Sequence, residues 1–434
     1  MVNNTFPENS NKVINAWCSY DIANSAYNLS ISTVLYPIYY ETITQKVFGS
    51  EMVQFMGMTI KNTVIYEYAI SIAYLVAIIL TVAFSGFADI GGYRKRFMQG
   101  YTFLGAISCM TLYFFNGNNL EIGIVLPAMA VVGFAGSLVY YNSFLPIIAS
   151  PEKHDKISAR GFSYGYAGSM LLLIFNIFTI QKFDFFGFNS ELEAIRFSFV
   201  LVGVWWIGIS QIAFYYLKEN KGDVKLNKSV LSKGLKEILS VMKIIKKSKV
   251  QIRFLLSFFF FSMGVQTIII IASLFGKVEL NISATELILT ILIIQLVAIF
   301  GAFLFGRVST YYGNKTSLIW MLSVWILICI SAYFITNETQ FYVLGGLVGL
   351  VMGGIQSQAR STWSKLIPQG SMDTASFFSF YDSTEKLAIT IGMLGFGVIE
   401  QITGSMRMSA LLLSSFFMIS LVIIAVTKLK NQSM

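Results

Sequence analysis

Charge, histidine, cysteine and proline are all scarce in this chain. Of its 434 residues only 12% are Asp, Glu, Lys or Arg, and there are one histidine, three cysteines and six prolines. A lone histidine leaves no His cluster to hold a metal and no credible Ser-His-Asp arrangement. It lies in Pro151-Glu152-Lys153-His154-Asp155-Lys156, which reads as a solvated loop. Cys18, Cys109 and Cys329 all fall in apolar runs without ligand spacing, so neither zinc nor a disulfide is expected. No glycine loop followed by Lys and Ser or Thr is present to cradle a nucleotide phosphate. The chain is therefore expected to be no enzyme, to take no metal or other cofactor and to bind no ATP.

What is abundant is apolar surface: 55% of residues are hydrophobic, and the mean hydropathy is +0.67. Runs of about 20 apolar residues suffice to cross a hydrocarbon core. Twelve such runs are present. The first covers Val13 to Tyr40, and the next five centre on Leu75, Ala106, Val131, Leu172 and Gly203. The last six centre on Ser262, Ile294, Ile326, Val348, Ile389 and Phe416. Backbone groups left unsatisfied in lipid restrict spanning structure to helices or closed barrels, and these runs lack the alternation of a barrel. An all-α membrane protein of twelve transmembrane helices is predicted. Residues 1–12 are polar, with neither a basic start nor a small-residue cleavage site, so no removable signal peptide is expected.

The net charge of +9 is not a nucleic-acid footprint. Once loops are assigned to alternate sides, 24 of the 31 basic residues gather on one side, from Lys12 and Arg94–Arg96 through the run Lys218–Arg253 to Lys428 and Lys430. The positive-inside rule makes that side cytoplasmic and places both termini there. The polar stretch from Lys218 to Lys249 divides residues 1–217 from 252–434, with 218–251 as a basic linker. Within it Leu231, Leu235, Ile238, Leu239, Met242 and Ile245 follow helical spacing opposite Lys233, Lys236, Lys243, Lys246 and Lys247. This predicts an amphipathic helix on anionic membrane lipid, or else a solvated linker.

The two halves repeat one another. Ser85, Gly92 and Arg94 map onto Gly306, Gly313 and Lys315 at a shift of 221, and Leu145-Pro146 onto Ile367-Pro368 at 222. Such internal repeats are characteristic of transporters.

Polar residues inside the spans are the candidate machinery. Asp21, Asn24, Ser25, Asn28 and Ser32 share one helical face, either as a packing network or as the wall of a pathway. Gln356, Ser357, Arg360, Ser361 and Ser364 form a second such face. Arg360 must reach the interface by snorkelling or pair inside the bundle. Asp382, Glu385 and Lys386 concentrate charge in the eleventh span. Asp382 and Lys386 stand one turn apart, and Glu385 has no obvious local partner. A structural ion-pair cluster and a gating or proton-linked site are both compatible with that pattern. Gly345, Gly349 and Gly353, four apart, read as a close-packing edge.

Ser85-Gly86-Phe87-Ala88-Asp89-Ile90-Gly91-Gly92-Tyr93-Arg94-Lys95-Arg96 resembles the cytoplasmic loop signature of the major facilitator superfamily, with Asp89 and Gly92 at matching positions. Ser85 replaces the usual glycine, and Thr310 stands where the second copy would carry an acid. Trp17–Tyr27, Tyr141–Pro146, Gly264–Ile268, Gly353–Ser361, Phe377–Lys386 and Thr403–Arg407 further resemble the vacuolar amino-acid effluxer branch related to autophagy and its bacterial relatives. The resemblance implies two pseudo-symmetric six-helix bundles and a secondary transporter working by alternating access. It places spans one, four, seven and ten around the cavity, with Asp21, Asn24, Asn28, Tyr141, Asn142, Gln266, Gln356 and Arg360 as wall residues. It makes Asp89 a latch on the N-terminus of span eleven, alongside Gly92 and Arg94. Asp382, Glu385 and Lys386 join Asp21 as coupling or gating candidates. The expected substrate is a small polar metabolite such as an amino acid, with protons as coupling partner, in a monomer of a bacterial inner membrane. The alternatives are an exporter of amphipathic compounds and a transporter-shaped receptor that does not translocate.

Overall fold

The computed structural model describes residues 9–50, 52–55, 57–218 and 228–429. The first span is α1 (Asn11–Ala26), a wide π-helical segment (Tyr27–Leu35) and α2 (Tyr36–Phe48). Then come α3 (Asn62–Gly91), α4 (Arg94–Thr111), α5 (Leu120–Ser143), the short α6 (Leu145–Ile148), α7 (His154–Gln181) and α8 (Glu191–Tyr216). The linker helix α9 (Lys228–Lys247) leads to α10 (Lys249–Leu280), α11 (Ala284–Phe334), α12 (Glu338–Leu366), α13 (Thr374–Thr403) and α14 (Met406–Val426). In α11, a single run of 51 residues, the backbone breaks at Gly313 (φ 81°, ψ 157°), so it supplies two spans. Counted this way the described helices give twelve crossings, six before α9 and six after it.

Gly92 closes α3 at φ 64°, and Gly313 breaks α11 at φ 81°. Both lie in the region that L side chains avoid, which is why the repeated turn holds glycine at each copy. Between α2 and α3 a small antiparallel hairpin, β1 (Met52–Phe55) with β2 (Met58–Lys61), adds strand to a chain predicted to be all helix. This segment joins spans one and two outside the hydrocarbon, where a two-strand ladder can satisfy its edge groups with water.

The helices hold together by size matching as well as burial. A Cβ on Gly349 would lie 2.5 Å from the Ile294 carbonyl oxygen, and one on Gly353 would strike the Ala298 carbonyl. The four-residue glycine edge of α12 thus presses against the first half of α11. On the other side of the helices, Ile79, Val343 and Leu394 are more than half exposed, as lipid-facing residues must be.

Two expectations are corrected here. His154 is not solvated: it opens α7, is 1% exposed, and brings Nε2 within 3.0 Å of the Ala149 carbonyl oxygen. The supposed loop is only the three-residue turn Pro151–Lys153, which folds the imidazole under the end of α6. The linker helix also departs from its predicted face. Gly234, Ile238, Val241 and Ile245 are buried against protein, leaving Leu235 and Leu239 about half exposed. A Cβ on Gly234 would lie 2.8 Å from the Phe87 nitrogen, so α9 docks by its glycine onto the end of α3. Residues 219–227 of the linker and the side chain of Leu231 lie outside the described residues.

Candidate functional site

Asp21, ten residues into α1, is 5% exposed and meets Arg360 of α12. Arg360 Nη1 and Nη2 each donate to Asp21 Oδ2 at 3.1 Å, and Tyr141 Oη donates to the same oxygen at 2.7 Å. The guanidinium also donates through Nε to Ser158 Oγ at 2.9 Å and through Nη2 to the Ser158 carbonyl at 3.0 Å. Its carbon stands 4.2 Å from the Phe162 ring centre, 4.7 Å from Trp17 and 5.5 Å from Tyr141. A delocalised cation suits this box, because its faces stack on rings while its edge donates in the plane. Gly161 makes room: a Cβ there would lie 2.8 Å from Arg360 Nη2 and collide with Asp21 Oδ2. So Arg360 pairs inside the bundle, and the two residues expected on separate cavity walls hold one another across the seam between the halves.

The neighbouring site residues divide by exposure. Asn142 offers Oδ1 to Arg360 Nη1 at 3.4 Å, and Gln356 accepts from Tyr166 Oη of α7 at 2.6 Å. Asn24 is buried beside them, with its Nδ2 lacking a partner. Asn28, by contrast, is exposed, and Ser32 is half-buried. From Tyr27 onward the helix widens, with Tyr36 N–H reaching back five residues to the Ile31 carbonyl. Wider turns rotate Asn28 and Ser32 away from the face that regular helical spacing would give them.

Further contacts join the helices on the basic face. Asp89 accepts from Ala375 N–H at 3.0 Å and from Ser376 N–H and Oγ, both at 2.8 Å, at the start of α13. Its other neighbour is Arg94 Nε at 2.7 Å, and Arg94 in turn donates to the Met372 carbonyl. Unpaired N–H groups and the helix dipole both favour a carboxylate at that end. Gly92 supplies the turn that brings Arg94 back to Asp89. In the second half, where Thr310 only bonds the Gly306 carbonyl of its own helix, the acid comes from the other partner. Asp155, in the first turn of α7, accepts from Lys365 Nζ at 2.6 Å and Asn314 Nδ2 at 2.8 Å. The two halves therefore make corresponding contacts with their charges differently assigned.

Ser158, Phe162, Tyr166, Asp155, Asn314 and Lys365 escaped the sequence reading, as did the role of Trp17. Asp155 and Lys365 read as ordinary loop charges, and no spacing within the chain links α7 to α12. The one available signal was Gly161, Gly165 and Gly168, a small-residue edge on α7 that packs on α1.

On the same face, Glu237 of α9 meets Asp373, just before α13. Burial, with the hydrogen bond and charge of Glu237, pushes the Asp373 carboxyl up to about 6. A carboxyl whose folded pKa is raised binds its proton more tightly in the docked state. That contribution is complete below its ordinary value of 3.8 and is lost as pH rises through about 6. The protection factor of α9, the intrinsic amide exchange rate at each pH divided by the observed rate, is therefore expected to be higher at pH 5 than at pH 7.5, and Asp373→Asn should remove the difference. Equal protection factors at both pH values in the parent would refute the contact.

A third group of charges lies deep in α13. Lys386 Nζ meets Asp382 Oδ1 at 3.1 Å and Glu385 Oε2 at 2.9 Å, while Gln266 of α10 donates Nε2 to Glu385 Oε1 at 3.0 Å. Glu385 thus has, besides its neighbour Lys386, a partner on another helix in Gln266.

The family model described as "Vacuole effluxer Atg22 like" matches residues 9–433. MFS-type transporter YxiO of Bacillus subtilis is 28% identical over 414 residues, covering 95% of this chain and 94% of that protein. Autophagy-related protein 22-2 of Aspergillus niger is 25% identical over 463 residues, covering 86% and 76% of the two. Among solved structures, the major facilitator transporter FucP in its outward conformation superposes with a TM-score of 0.68 at 13% identity, over 96% of this chain and 99% of that one.

Proposed function

Because the chain belongs to the family of Atg22-like vacuole effluxers, and so is a multi-pass transporter of the major facilitator type, we propose that it moves a zwitterionic metabolite of the amino-acid class by alternating access. The observation that carries this reading is the Asp21–Arg360 pair, 339 residues apart in sequence, one partner on each half. Rocking the halves apart on the basic face separates the two charges. Each half then presents one unpaired ion: a carboxylate beside Tyr141 in the first half, and on α12 a guanidinium withdrawn from Trp17, Tyr141 and Phe162, which stay with the first half. A bound ammonium and carboxylate would satisfy both, which offsets the cost of leaving ions unpaired inside the membrane. Asn24, Asn142 and Gln356 stand next to that gap to fix orientation.

In this reading the basic face is cytoplasmic, and the latches at Asp89 and Asp155 hold it shut in the state described here. Proteoliposomes preloaded with a mixture of labelled amino acids test it. Efflux and counterflow should carry zwitterions in preference to their amides or decarboxylated amines, because either change removes one of the two charges. Transport of amines and parent amino acids at equal rates would remove the case for paired recognition.

A further inference from the structure

Two carboxylates and one ammonium cannot balance, and this imbalance sits at the middle of α13. Glu385 lies 11 residues from the start of α13 and 18 from its end, about 16 Å and 27 Å along the axis. Lys386 is 3% exposed on its side chain, Asp382 4% and Glu385 19%. With all three ionised, the cluster carries one surplus negative charge in a region where an uncompensated ion is costly. Asp382 Oδ2 is buried without a hydrogen-bond partner. A carboxylate oxygen buried in that condition lacks a donor or a proton.

We infer that the Asp382–Glu385–Lys386 cluster is a proton-binding site that sets the equilibrium between the two facing states, and that Asp21 is not. Protonation converts one carboxylate to the acid and takes the cluster from −1 to neutral. Lys386 keeps a charged partner in either form. Gln266 donates to Glu385 in either form as well, and Glu385, the most exposed member, is the entry point for the proton. Asp21 has no such freedom. It is matched one to one with Arg360 and already receives Tyr141 and both guanidinium nitrogens on one oxygen, so protonating it would strand a buried cation.

The position of the cluster links it to the gate. Among the described residues, the other ionisable groups in its field are Tyr74 of α3, across the seam, and Tyr381, one turn earlier on α13. The helix that carries the cluster is also the helix whose N-terminus Asp89 holds. A change of charge at Glu385 therefore alters the attraction between α3 and α13 along the seam that opens. The inference rests on the transporter reading above but not on its substrate class, and its test needs no substrate.

Spin labels on Lys156→Cys and Gln369→Cys, one on each half at the basic face, report the opening; the three native cysteines are buried. The measurement is made in the Asp373→Asn background, which removes the pH response of the α9 contact. Between pH 5 and pH 8 the distance distribution should shift. Glu385→Gln should hold it at the low-pH distribution throughout, while Asp21→Asn should change the populations but keep the pH response. If Glu385→Gln does not yield a monodisperse protein, Asp382→Asn reads the same site with the same expected loss. A full pH response in the Glu385→Gln protein, or its disappearance in Asp21→Asn, would overturn the inference.

Discussion

Arg360→Met is expected to lower the thermal unfolding midpoint by several degrees and to abolish transport, the largest effect of any single change considered. Removing one partner of a buried ion pair leaves the other uncompensated, which costs about 3–5 kcal/mol. Here the stranded group is the Asp21 carboxylate, which keeps only Tyr141 Oη as a donor. Methionine fills much of the space among Trp17, Tyr141 and Phe162, so a cavity contributes little to the loss. Pairing the change with Asp21→Asn should restore most of the stability, because the surviving groups are neutral, but not transport, which needs both charges. Differential scanning fluorimetry of the single and double variants checks this. A double variant no more stable than Arg360→Met alone would mean that the charges are not coupled across the seam.

Asp89→Asn is expected to release the basic face. The carboxylate accepts from two backbone N–H groups and the Ser376 hydroxyl while paired with Arg94. The amide retains one acceptor oxygen and presents an NH2 group to donors. Hydrogen bonds to charged groups contribute about 1.5–3 kcal/mol each. Losing charge and one acceptor should therefore move the closed-to-open ratio by about 100-fold, on the scale of 1.4 kcal/mol for each factor of ten. Ser379→Cys gives the readout. Ser379 is buried at the seam, where its hydroxyl meets Ser85 Oγ at 3.2 Å. A maleimide applied from the basic face should label that cysteine at least tenfold faster in Asp89→Asn than in the parent, with Asp89→Glu in between. Equal labelling rates would mean that the contact at α13 does not restrain opening.

The sequence made some of this legible and left some of it hidden, along a line that physical chemistry draws. Asp382 and Lys386 pair from sequence alone because four residues along a helix bring side chains together wherever the helix lies. Gly92 and Gly313 match by the constant shift of 221 between the halves, and the turn at each copy holds positive φ. The identity of Asp21's partner was not available in that way. Asp21 was legible as a carboxylate that something must answer, and Arg360 as a cation that must pair or snorkel, but nothing local joins them. The widened turns from Tyr27 to Leu35 broke the face on which Asn28 had been placed beside Asp21, since that face assumed regular periodicity. His154 looked solvated because its immediate neighbours are charged, yet the chain folds it beneath α6.

By itself, then, the sequence determined the number of spans, the repeat, the basic side and the presence of ions within lipid. Each follows from the cost of placing polar groups in hydrocarbon, which every residue reports independently of its partners. Only the tertiary structure decided that Asp21 and Arg360 close on one another, that Asp155 of α7 meets Lys365 and Asn314, and that Gln266 of α10 holds Glu385. Those are pairings between helices. They depend on how two six-helix halves dock, and docking is a property of whole surfaces that no stretch of residues carries alone.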